Sequence, residues 1–130
     1  MNTYFLIAAI LCVILGLVHS ILGEYLIFRD KRKKGSIVPT IVKTDLKERH
    51  LRIIWATWHL ASFFGWCVGA FLLRLAVDQD KLDAEFLDIV INTTIATMFA
   101  SSVLVLIGTK GRHPGWVVLL GIGVFLIAGK

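Results

Sequence analysis

Proline and cysteine are nearly missing from this 130-residue sequence, with two of each: Pro39, Pro114, Cys12 and Cys67. So few prolines, and no low-complexity stretch, exclude a disordered chain. Neither cysteine stands in the CxxC context of an oxidoreductase. There is no HExxH motif, no paired-histidine motif, no P-loop, no dinucleotide fingerprint and no Ser/His/Asp triad pattern. Gly121-Ile122-Gly123 is too short and in the wrong setting for a nucleotide loop. The sequon Asn92-Thr93-Thr94 falls inside an apolar segment, where it is not usable. The start, Met1-Asn2-Thr3-Tyr4, carries no basic n-region, and no small-residue cleavage site comes after the first apolar segment, so a cleaved signal peptide is not expected. No lipidation signature is visible.

Apolar residues, by contrast, are in excess: 57% of the chain, with a mean hydropathy of +0.79. A domain this small has too little interior to hide them, so the excess is expected to face lipid. Four apolar segments, at 4–28, 51–77, 84–107 and 114–128, predict an all-α integral membrane protein. The expected architecture is one domain, 1–130: an up-down-up-down bundle of four transmembrane helices. A bilayer core of about 30 Å needs about 20 helical residues, which the first three segments meet and the fourth falls short of. The alternation of barrel strands is absent.

The net charge of +5 is concentrated beside the apolar segments, so it reads as membrane orientation and not as nucleic-acid binding. The first loop, 29–50, holds Arg29, Lys31, Arg32, Lys33, Lys34, Lys43, Lys47 and Arg49, and the third holds Lys110 and Arg112. The second loop region is acidic, with Asp78, Asp80, Asp83 and Glu85. The positive-inside rule places loops one and three in the cytosol and both termini outside, in a bacterial-type inner (plasma) membrane. Expected partners are membrane lipids and either further copies of the chain or a partner membrane subunit. Gly35-Ser36 and Val38-Pro39 interrupt the first loop, and Thr44 or Asp45 is the expected N-cap of an early start to the second helix.

Antiparallel pairing of the first two segments matches residue i with roughly residue 79 minus i, good to about one turn of 5.4 Å. That sets His19 beside His59, Cys12 beside Cys67, and Glu24 near Trp55 and within a turn of Arg52. Arg52, Trp55, His59, Ser62 and Trp66 form one stripe at helical spacing, expected to point into the bundle, with Trp58 off it. Thr93, Thr97 and Ser101, beside Ala96 and Ala100, form a small-residue face suited to close helix packing. Pro114 suits the first turn of the fourth helix, which leaves His113 at the cytosolic mouth with Glu24 and His50.

Ionisable groups inside apolar segments are costly and point to function. His19, Glu24, His59 and His113 are therefore the expected ligands of a transition metal, with zinc, copper and iron the ions suited to imidazole and carboxylate. Arg52 would balance charge and Trp55 and Trp66 would line the cavity, with Ser20, Ser62 and His50 supporting. Two observations restrain this reading. His19 and Glu24 lie about 140° apart on a regular helix, so they share a metal only if the helix is distorted, for which Gly23 is a weak licence. Ser20 and Glu24, at spacing four, do share a face. His50 and His59 fall on opposite faces of one helix. Haem between adjacent helices about 8–10 Å apart has too little room. Rival readings are an interhelical histidine pair that only fixes packing, an ion pair of Glu24 with Arg52, and acid–base chemistry at histidine. At the level of function, these correspond to a metal-binding membrane protein, a non-catalytic accessory subunit, and a membrane enzyme acting on lipid or quinone.

Overall fold

Asn2 starts the first helix by chemistry the sequence carries openly. Its side-chain oxygen accepts the backbone N–H groups of Tyr4 and Phe5, which have no partner within the helix. In the computed structural model, which describes residues 1–41, 46–78, 81 and 83–130, this opens α1 (Thr3–Leu22). The chain then passes directly into a π-helical stretch, Gly23–Phe28, and a short 3-10 turn, Arg29–Lys31. Three further helices complete the chain: α2 (Glu48–Asp78), α3 (Ala84–Gly108) and α4 (Gly115–Gly129). Among the described residues there is no strand.

The expected segments thus appear as helices with shifted ends. The second begins at Glu48, and the N-cap expected at Thr44 or Asp45 lies outside the described residues, as do Lys43 and Asp80. Pro114 occupies the cap position before α4 instead of its first turn. The helical run Thr3–Lys31, α2 and α3 are long and apolar enough to cross a membrane. The fourth helix, with 15 residues, is apolar but short.

Neighbouring helices run antiparallel. α1 packs on α2 along one side and on α4 along another, and α3 packs on α4. α2 and α3 make no extended contact with each other. The bundle is therefore a folded row, α2–α1–α4–α3, and not a closed square. At the end where the termini meet it is tight. Phe5, Ala8, Leu72, Ile122 and Leu126 are fully buried there, and a Cβ on Gly129 would press into the Phe5 ring. Asn2 ties three helices together at this end, giving its backbone N–H to Ala76 O (2.8 Å) and its side-chain amide to Gly129 O (2.7 Å). Lys130 adds a bond to Asn92 (2.8 Å) and an ion pair with Asp88 (2.6 Å) on α3.

The α3 seam differs from the expected one. Thr93 and Thr97 are exposed and bond back to carbonyls four residues earlier on their own helix. The buried line on α3 is Ile91, Met98 and Ser102, and Ser102 Oγ donates to Trp116 O on α4 at 2.7 Å. Small side chains alone do not select a seam. The face that complements its neighbour's side chains does, and here Phe99 lies against Gly123.

Candidate functional site

The opposite half of the α1–α2 hairpin is polar inside. Ser20 Oγ lies 3.0 Å from His59 Nδ1 and 2.9 Å from Ser62 Oγ. His59 Nε2 lies 2.8 Å from Glu24 Oε1. The same carboxylate oxygen accepts the Trp55 indole N–H, and Oε2 pairs with Arg32. Ser62, Ser20, His59 and Glu24 therefore form one continuous hydrogen-bonded chain between two helices. Arg32 and the Trp55 indole face Glu24 only as N–H donors, which suits a carboxylate. The chain is largely sheltered: the His59 side chain is 18% exposed and Glu24 32%.

The backbone explains why these side chains meet. Ser20 and Glu24 span the junction into the π-helical stretch, whose i→i+5 bonding takes in an extra residue and rotates the later side chains relative to a regular helix. Gly23 stands at the start of that stretch, and a Cβ there would fall on the Trp58 indole. Trp58 in turn stacks on His19 (centroids 4.3 Å apart, planes within 6°) and donates Nε1–H to His19 O at 3.0 Å. Trp55 and Phe28 pack near the His59 ring, with centroids at 4.9 and 6.4 Å. The ring is held at both nitrogens and by both neighbours.

Several expected roles move to other residues. The cation on Glu24 is Arg32, whose loop folds back over the hairpin; Arg52 is exposed and faces Glu48 at 3.8 Å. His50 Nε2 takes a bond from Arg49 Nε (3.3 Å) in the first turn of α2. Trp58, off the expected stripe, stands beside the site. Trp66 packs against Gly16, and its buried Nε1–H finds no acceptor among the described residues. His19 and His59 share a depth, as the register requires, but His19 faces Trp58 while His59 faces Ser20 and Glu24. His113, from the α3–α4 turn, shares the cavity wall with His19, and its Nδ1 accepts Gly115 N–H at 3.0 Å. Among the described residues, no three His, Cys, Asp or Glu side chains gather closely enough to hold a metal ion. Cys12 is buried, Cys67 is exposed, and both are free.

Behind the chain lies a cavity of about 480 Å³. Ser62 is on its wall, as are His19 and Trp58 at one end, with Thr109 and His113 from the α3–α4 side. Ser101 and Thr97 line it along α3, and the rest is mostly apolar. The chain matches no protein-family model, no curated protein and no solved structure.

Proposed function

We propose that this chain is an integral membrane protein whose His59 is a general base, acting through Ser20 on the cavity-facing hydroxyl of Ser62. The reaction class is acyl or phosphoryl transfer from a hydrophobic ester. One observation carries the reading: a single imidazole is bonded at Nδ1 to a serine hydroxyl and at Nε2 to a carboxylate. That is the base–orienter part of a nucleophile–base–orienter arrangement recognised by geometry, with Ser20 bridging the base to Ser62. With His59 neutral, Nε2–H donates to Glu24, Nδ1 accepts from Ser20, and Ser62 donates to Ser20. With His59 charged, Nδ1–H donates to Ser20 and Ser20 to Ser62. The two arrangements differ by one proton passed along the chain. Ser62 Oγ bonds to the acyl carbon or phosphorus as its proton reaches His59, and His59 returns the proton to the departing alkoxide. Glu24, fixed by Arg32 and Trp55, stabilises the imidazolium.

Supporting the membrane placement are outward-facing Ile14, Leu17, Phe63, Phe64, Leu104 and Ile107, all large, apolar and exposed. The loop charges orient it with both termini outside. For zinc, copper, iron or haem the donors are less suitable, because Glu24 and both nitrogens of His59 are already engaged.

Labelling of the detergent-purified protein with a long-chain alkyl fluorophosphonate tests this. The P–F bond breaks, Ser62 takes the phosphonyl group, and fluoride leaves. Labelling is expected at Ser62, absent in Ser62→Ala, and slower by about a hundredfold in His59→Phe, the usual range for a general base. Unlabelled, correctly folded protein, or equal rates in His59→Phe, would point to an accessory subunit with a structural polar network. Stoichiometric metal lost in His59→Phe would overturn the reading in favour of a metal centre.

A further inference from the structure

The cavity has a direction. Thr97 and Thr109, twelve positions apart on α3, both line it, so it extends about 18 Å along that helix. One leaflet of hydrocarbon, half of a core of about 30 Å, has nearly that depth. A cavity of about 480 Å³ drawn out over that length is an elongated space, a shape that suits extended hydrocarbon. The walls grade from apolar, at Val68, Met98 and Ile122, to polar, at His19, Thr109 and His113. Lys110 and Arg112 occupy the turn between those last two residues, and the sequence has no acidic residue beyond Asp88. The nearby Glu24 is already matched by Arg32. α2 and α3 both line the cavity yet share no extended contact, so this is the side on which it is least closed.

We infer that the cavity takes one long-chain anionic amphiphile of the fatty-acid type. Its hydrocarbon lies along α3, and its headgroup sits at the His19–Thr109–His113 end, beneath Lys110 and Arg112. The inference rests on the membrane reading above but not on the serine chemistry.

The test uses the full chain in nanodiscs, a diazirine-bearing fatty acid and the matching long-chain alcohol. Saturable uptake of one fatty acid per chain is expected, with cross-links at Val68, Met98 and Leu119. Gly65 also lines the cavity, and a Cβ there meets nothing closer than Cys12 O at 3.9 Å, so Gly65→Leu is the variant chosen to fill the space, with its melting temperature checked beside uptake. It should weaken uptake about tenfold, as overfilling a packed site does. Gly121→Leu, whose Cβ points into open space, should not. Neutralising both Lys110 and Arg112 to Gln should weaken the acid and leave the alcohol unchanged. Uptake is read on the unmodified chain and requires no labelling at Ser62, which separates this inference from the nucleophile assignment. Unsaturable cross-links on Ile14, Phe63 and Leu104, no effect of Gly65→Leu, or protein–protein adducts filling the α2–α3 side would overturn it. Equal binding of acid and alcohol would overturn the anionic headgroup.

Discussion

At the scale of the residue, Glu24 is the side chain with most at stake. It sits in an apolar stretch of α1 and its extension, yet both oxygens are matched, by Arg32 on one side and by Trp55 and His59 on the other. Glu24→Gln keeps an acceptor for His59 Nε2–H but removes the charge that stabilises the imidazolium, and it leaves Arg32 without its partner. Fluorophosphonate labelling is expected to slow by at least about tenfold, because the base then gains its proton without a facing anion. The fold should survive, since an interhelical hydrogen bond in a membrane contributes about 0.6 kcal/mol on average. Labelling rate measured beside gel-filtration behaviour checks both halves; an unchanged rate removes Glu24 from the relay.

At the scale of the element, the π-helical stretch decides whether the relay exists. Gly23 leaves room for the Trp58 indole, and the wide turn beyond it presents Glu24 to α2. Gly23→Leu should force Trp58 off His19 and cost about 1–3 kcal/mol, the usual range for overpacking. Lower thermal stability together with altered Trp58 fluorescence would show it; a wild-type melting temperature would mean the hairpin has slack that the packing does not suggest. The helices themselves are legible in the sequence, because a run of apolar residues long enough to cross lipid has few alternatives. The antiparallel register is legible too: aligning segment ends sets His19 beside His59 and Glu24 near Trp55, and the residue that bonds His59 is the next one along, Ser20. Ser20 and Glu24 at spacing four mark the face that carries the chain. The π-helical turn is barely legible, since Gly23 permits a distortion there but does not call for one. Arg32 as the partner of Glu24 is hidden for a related reason. The loop's return path is set by contacts such as Arg32 Nε with Ile37 O, which spacing along the chain does not encode. The α3 seam is misleading in the sequence because Thr93 and Thr97 satisfy their hydroxyls within their own helix.

At the scale of the whole molecule, orientation is a matter of charge. A membrane-impermeant maleimide should reach Lys81→Cys in intact cells and Lys33→Cys only after permeabilisation, in a background with Cys12 and Cys67 replaced by alanine. The reverse pattern would invert the orientation, and equal labelling at both sites in intact cells would argue against a stable single topology. The folded row of helices also has a temporal side. The last helix to be made closes against the first, through Asn2 and Gly129. Ser20, Glu24, His59 and Ser62 all belong to the first hairpin, so the ribosome has delivered every member of the relay before α3 and α4 exist to wall off the space beside it. During synthesis, the hydrogen-bonded chain precedes its chamber.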